Sequence, residues 1–340
     1  MKSFSIHKIK RNPLRFFLLK LVLLFTMIFV IDHLMGTILG YFYFKQESGA
    51  QYRTTYSIEK TTADLLIFGS SRANHHYHPA VFKERFNLSY YNVGRDGHFI
   101  FYNSAVLKAV LERYVPNIII LDLIGGEFGK NQVDYDRLSS LLPYYKSHPE
   151  MRSIIKLKSK FEYFKMLSSI YPYNSSMFTI SIGNTEFNKK RRGDIQGFIP
   201  LTNVWSGPIQ IDDRPAKYEL DSIKINAFET FIQQCNRSKI KLYIICSPYY
   251  FQSRQTEYSV KIGREIAKRY DISFFDYSED SIFIQNSKLF SDTEHLNETG
   301  ARVFSNILIG DIEKMTGVDD TESLTSLPNS PTPSWATEIH

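Results

Sequence analysis

The last patterned segment of the chain reads Asp292-Thr293-Glu294-His295-Leu296-Asn297-Glu298-Thr299-Gly300-Ala301, with an acid three residues before a histidine on a turn that runs into a helix. A carboxylate so placed can lie against the imidazole and fix its tautomer, which is half of a Ser-His-Asp relay. The other half is a hydroxyl nucleophile brought from far upstream, and Phe68-Gly69-Ser70-Ser71-Arg72 offers one. A hydroxyl is a poor nucleophile at neutral pH; on a tight strand-to-helix turn it is exposed, and an adjacent base activates it. Ser70 and Ser71 are neighbouring alternatives, and on composition a Gly-Ser-Ser turn is more often only a turn. A third segment, Asn92-Val93-Gly94-Arg95-Asp96-Gly97, brings glycines whose bare backbone can approach a substrate carbonyl and donate to an oxyanion. No cofactor and no metal are expected.

These segments are set by alternating strands and helices. Apolar runs at Ala63–Phe68, Leu88–Val93, Asn117–Leu123, Lys239–Cys246 and Ile272–Asp276 read as strands buried on both faces. Helical spacing marks Phe99–Tyr114, the stripe from Leu220 to Ile232, Thr256–Arg269 and a closing helix Glu298–Lys314. The alternation predicts an α/β domain over 61–317 with a parallel sheet wrapped on both faces and ligands at the carboxyl ends of its strands. Residues 128–216 are too long for an ordinary connection and are expected as an insertion that covers or shapes the site, with helices near Tyr135–Tyr145 and Ile154–Ser169. Its basic cluster Lys189-Lys190-Arg191-Arg192 reads as a solvated loop. Residues 45–60 are expected as a linker, and 318–340, rich in Asp, Thr, Ser and Pro, as a disordered tail.

The net charge of +6 is local: Lys2, Lys8, Lys10, Arg11, Arg15 and Lys20 all precede the first acid, Asp32, and without them 35 basic residues face 35 acidic ones. A balanced body argues against nucleic acid. The basic tail 1–15 is followed by an apolar run, 16–44, long enough to cross a bilayer as a helix if Lys20 snorkels. Positive charge on its near side puts the N-terminus in the cytoplasm and the domain outside, periplasmic or extracellular, with Tyr41 and Tyr43 at the outer interface. The run is long for a signal peptide and no small-x-small cleavage site follows, so an uncleaved anchor is expected. With Cys235 ending a helix and Cys246 ending the strand that runs back beside it, the two lie at opposite ends of the sheet, too far apart for a disulfide, and both are expected free.

Together the segments resemble the SGNH (GDSL-like) hydrolase superfamily over about Ala63 to Lys314 apart from the insertion. Gly69-Ser70-Ser71 resembles its first block with serine for the usual aspartate, Asn92 to Gly97 its second, and Asp292 to Ala301 its last. The resemblance implies a three-layer α/β/α sandwich with a mainly parallel sheet of about five strands. It implies Ser71 as nucleophile, His295 as base, Asp292 as orienting acid, and the N–H groups of Ser71 and Gly97 as oxyanion donors, with Asn92, Gly126 and Glu127 as further site residues. The third block departs from the pattern: Ile124-Gly125-Gly126-Glu127 has glutamate where the family has asparagine. Gly-Ser-Ser, a single anchor and a large insertion are similar to membrane-anchored SGNH proteins of bacterial envelopes, the D-alanyl transfer and alginate O-acetylation types. Those pass an acyl group from a membrane-bound O-acyltransferase to a polymer outside the cell. The expectation is an esterase or O-acyltransferase with an acyl donor and a cell-envelope glycan acceptor. The alternatives are a non-catalytic glycan-binding scaffold and an esterase for small or lipid esters.

Overall fold

The computed structural model describes residues 12–189, 193–207, 219–251 and 254–316. Expectations for 1–11, for 190–192 of the basic cluster and for the tail 318–340 lie outside the described residues.

The five apolar runs form β1 (Leu65–Phe68), β2 (Tyr90–Asn92), β3 (Ile118–Asp122), β4 (Lys241–Cys246) and β5 (Ser273–Asp276), one sheet in the order β2-β1-β3-β4-β5. Every pairing is parallel. Because side chains alternate across a strand, Leu66, Phe68, Ile119, Leu121, Leu242 and Ile244 feed one core. Leu65, Ile67, Ile118, Ile120, Tyr243 and Ile245 feed the other. The first core is closed by α2 (Gly49–Glu59), α5 (Ile100–Leu111), α6 (Ser222–Arg237) and α7 (Arg254–Arg269). The second is closed by α3 (Ser71–His76), α4 (Pro79–Phe86) and α8 (Glu298–Thr316). The fold is thus α/β, a three-layer sandwich. From β1 the chain steps to β2 on one side and then to β3 on the other, and this reversal opens a crevice at the carboxyl end of β1.

Three expectations change. Residues 45–60 are not a linker: α2 packs on α5 and buries Thr54, Thr55, Ser57 and Ile58. Among its described residues the insertion has no long helix; Tyr135–Tyr145 and Ile154–Ser169 break into short pieces such as the 3-10 turn Arg137–Tyr144 and the turn Glu162–Lys165. The apolar run is one 32-residue helix, α1 (Pro13–Phe44), with a mean hydropathy of 2.5 over its most apolar window. Only its last third is packed. Gly36, Gly40 and Tyr43 are buried, against Ser169, Tyr173 and Tyr144 of the insertion. Cys235 and Cys246 are buried and free.

Candidate active site

β1 ends at Phe68, and the chain turns on Gly69 (φ +146°) straight into α3. A Cβ at Gly69 would lie 2.8 Å from Ala73 Cβ and 2.9 Å from Asp122 Cβ, so only glycine lets the helix start this close to the sheet. The turn leaves Ser71 as the first residue of α3, half-buried at the crevice. From the other end of the chain, the loop before α8 brings His295, whose Nε2 lies 2.8 Å from Ser71 Oγ. His295 Nδ1 lies 2.9 Å and 3.0 Å from the two oxygens of Asp292. The hydroxyl in this chain of hydrogen bonds is that of Ser71; Ser70 is buried beneath it. Burial pulls the Asp292 carboxyl upward, but the His295 ring and the backbone N–H groups of Glu294 and His295 outweigh it and hold the group below the usual carboxylate range.

The loop after β2 reaches the same edge. Asn92 does not face the crevice: its Nδ2 donates to Ala73 O at 2.6 Å and its Oδ1 accepts from the Gly94 N–H at 3.0 Å, tying the loop to α3. Gly97 has a left-handed backbone (φ +67°), and the Arg137 guanidinium donates to its carbonyl. Among the described residues, the N–H groups of Ser71 and Gly97 form no hydrogen bond.

After β3 the third segment departs from expectation. The Gly125 N–H donates to Tyr249 Oη at 2.7 Å, and the Gly126 carbonyl closes a turn onto the Gly129 N–H. Glu127 is buried and spends its carboxyl on the start of α5, where it accepts the Ile100 N–H at 2.6 Å. Burial, only partly offset by Lys224, pushes that carboxyl up to about 8. Glu127 therefore holds α5 in place and does not substitute for a side-chain donor at Ser71. Gly126 has a left-handed backbone (φ +81°), and a side chain there would point into open space.

Several residues that hold the site were not foreseen. His75 and His76 follow Ser71 at helical spacing, and their rings stand edge-on to that of His295 with centroids 5.2 Å and 6.4 Å away. His76 Nε2 accepts the Leu296 N–H at 3.1 Å, which makes Nδ1 the protonated nitrogen facing Ser247 Oγ at 2.9 Å. Burial, and next the Arg72 charge, keep His76 far below the usual histidine range, so it stays neutral. His75 bonds the Ile199 carbonyl through Nδ1 at 2.7 Å, and burial lowers its pKa as well. Arg72 is buried, stacks 3.5 Å over Tyr249 and donates to Ser247 Oγ at 3.1 Å, joining α3 to the end of β4. The strap 193–207 of the insertion then crosses the site: Ile199 N–H donates to Asn74 O, Trp205 N–H to Phe290 O and Asn203 Nδ2 to Ser291 O, beside Asp292. The spacing Ser71, His75, His76 on one short helix was the available signal; the strap had none. Among the described residues, no group of three or more His, Cys, Asp or Glu is arranged to hold a metal ion.

The chain is similar in structure to an acetyl xylan esterase, at 12% identity and a TM-score of 0.38 over 73% of this chain and 99% of that one. It is similar to a psychrotrophic esterase from a Pseudoalteromonas species, at 11% identity and 0.38 over 75% and 98%. It is also similar to a lipase/acylhydrolase from Enterococcus faecalis, at 10% identity and 0.39 over 74% and 95%. No family model matches the chain. No curated protein matches it either.

Proposed function

We propose that this chain is a membrane-anchored serine enzyme of SGNH type, an esterase or O-acyltransferase that acts on a cell-envelope glycan. The observation that carries the reading is the continuous relay from Ser71 Oγ through His295 to Asp292 at hydrogen-bonding distances of 2.8 Å to 3.0 Å. In the proposed mechanism Ser71 Oγ attacks an acyl carbonyl and His295 Nε2 takes the hydroxyl proton. The N–H groups of Ser71 and Gly97 hold the oxyanion, and the departing group takes the proton back from His295. A sugar hydroxyl or water then repeats the cycle on the acyl-enzyme and frees Ser71. Asp292 keeps Nδ1 protonated and stabilises the imidazolium that forms.

The anchor supports the transferase branch, since a donor at the membrane is lipid-linked or handed over by an integral membrane O-acyltransferase. Glu127 favours a second reading, a non-catalytic glycan-binding scaffold, because its carboxyl is turned onto α5 and leaves the oxyanion without a side-chain donor. One such donor is worth about 3 kcal/mol, so its lack slows turnover without excluding it. Fluorophosphonate labelling of the full chain decides between them. A Ser71 adduct that disappears in Ser71→Ala supports the enzyme; a folded protein that takes no label at Ser71 is the scaffold. Preference for a carbohydrate acceptor over water, measured on short acyl esters, separates glycan transfer from hydrolysis of small esters.

A further inference from the structure

A cleft of about 220 Å³ opens between the loop after β2, α2, the end of α1 and the start of the insertion, lined by Arg95, Arg137, His98, Ser140, Ser176 and Thr179 among others. Arg95 donates to Thr54 Oγ1 and to Ala50 O at 3.4 Å, and Arg137 to the Gly97 carbonyl. Both are half-buried, and among the described residues neither forms an ion pair with a carboxylate. Asp96, next to Arg95 in sequence, accepts instead from Asn74 Nδ2 at 2.5 Å. His98 is held neutral by burial and by both arginines, its pKa lowered to about 3, and its Nε2 meets Ser140 Oγ at 3.0 Å. The remaining lining is largely hydroxyl-bearing. The two guanidinium groups are met only by neutral partners, the hydroxyl and carbonyls above and the rings of Tyr102 and Phe99 at 5.8 Å and 5.9 Å, so their paired positive charge is uncompensated and suits an anionic ligand.

We propose that this cleft binds an oxyanion, a phosphate or carboxylate group carried by the glycan acceptor. The acceptor assignment rests on the acyl-transfer reading; the preference for an anion rests on the cleft alone. Because Arg137 holds the carbonyl of Gly97, the ligand would sit against the loop that carries the Gly97 N–H. Calorimetry on the full chain in detergent, with glycerol 3-phosphate and methyl glucuronide against glycerol and methyl glucoside, tests it. At least one anionic probe should bind about tenfold more tightly than its neutral counterpart, Arg95→Gln should remove that preference and Arg95→Lys keep part of it. The tighter anionic probe names the group. Equal binding of neutral and charged probes, or unchanged affinity in a folded Arg95→Gln protein, overturns the subsite. Ser71 labelling is read separately: labelling without anion preference sinks only the subsite, and anion binding without labelling sinks only the enzyme.

In the insertion, the turn Glu162–Lys165 is built inside out. Glu162 is fully buried, and its carboxylate takes Lys165 Nζ at 3.0 Å and Tyr171 Oη at 2.7 Å. Around it Phe161, Tyr163, Phe164 and Leu167 are 53%, 61%, 64% and 71% exposed. Large apolar side chains clustered like this mark a contact surface, unlike scattered single ones. The next residues fix its level: Ser168 Oγ and the Ser169 N–H donate to Asp32 of α1 at 2.5 Å and 2.6 Å. Counted from Phe16, the first residue after the basic tail, the ~30 Å of bilayer hydrocarbon takes about 20 residues of helix and ends near Met35. Asp32 thus stands within one turn of where α1 leaves that layer, and the turn Glu162–Lys165 hangs beside it, with Lys160 Nζ 5.0 Å over the Phe161 ring. Aromatic rings mixed with lysine suit the headgroup region.

We infer that Phe161, Tyr163, Phe164 and Leu167 form a foot seated in the outer headgroup layer of the bilayer that α1 crosses. Nitroxide labels at Phe164→Cys, Leu167→Cys, Phe25→Cys and Val115→Cys, on the full chain in phosphatidylcholine and phosphatidylglycerol vesicles, test it; the native cysteines are buried. Positions 164 and 167 should favour oxygen over an aqueous nickel chelate, less than 25 and opposite to 115. Aqueous accessibility like that of 115 overturns the foot, as does shielding from both reagents, the mark of a protein partner. An aqueous position 25 sinks the anchor and the foot together.

Discussion

At the scale of single residues, Asp292 holds one tautomer of His295. Replacing Asp292 by Asn keeps the shape but permits the wrong imidazole tautomer, and Ser71 labelling should slow by roughly 10²–10⁴. This acid-histidine pair was legible in the sequence because its spacing is local: three residues on a turn put Asp292 against His295 wherever the turn goes. Ser70 and Ser71 are not separable by composition; the family resemblance points to Ser71, and the helix start buries Ser70 and leaves Ser71 half-buried at the crevice. Asn92 and Glu127 were misread as site residues because their direction is set by burial, toward Ala73 and Ile100. His76→Ala removes the acceptor of the Leu296 N–H, so the His295 loop should loosen and labelling fall about tenfold, with His76→Gln restoring part through its amide oxygen. Glu127 gives a pH prediction. Its folded pKa is raised to about 8, so its contribution to stability is complete below the ordinary carboxylate range and is lost as pH rises through 8. Thermal unfolding of the wild type should lose stability between pH 5 and pH 8.5 by a component that Glu127→Gln lacks.

At the scale of elements, all five strands were visible as apolar runs; β1 to β4 are covered on both faces and leave no polar side, while the edge strand β5 is half-buried, and the strand ends moved by only a residue or two. α2 was invisible for the opposite reason. What it buries is mostly polar and satisfied by distant hydroxyls: Thr54 Oγ1 meets Tyr102 Oη at 3.1 Å, and Thr55 Oγ1 meets Tyr144 Oη at 2.7 Å. The insertion was unreadable because its pieces are too short for helical periodicity and are ordered by contacts with α1 and α5 and by hydrogen bonds from Gln51 and Thr55 of α2. The contact of α1 with the insertion depends on small residues, since a Cβ at Gly36 would collide with the Ser169 backbone. Gly36→Leu should part the two elements at a cost of about 1–3 kcal/mol. Limited proteolysis of detergent-solubilised protein would then cut within 156–189 faster than in wild type; an unchanged pattern means the contact is dispensable.

At the scale of the molecule, one helix belongs to two environments. From Pro13 to Ile31 no residue of α1 is buried in the protein, whereas Gly36, Gly40 and Tyr43 are. Sequence alone drew a single anchor from 16 to 44, because hydropathy cannot separate apolar residues that the domain leaves uncovered from apolar residues that face Tyr144 and Tyr173. The two parts should therefore separate under truncation. Removing residues 1–31 takes away the uncovered part of α1 but leaves the docked end, and the domain should keep its wild-type melting temperature in detergent. Removing 1–44 also takes Tyr43, whose ring packs 6.0 Å from Tyr144 and 5.7 Å from Tyr173. Burying such a ring contributes about 2–3 kcal/mol, which for a domain of this size corresponds to a fall of roughly 4–6 °C. Equal melting temperatures for the two truncations would make α1 an anchor throughout, and a fall already present after removal of 1–31 would place part of its free length inside the folded domain.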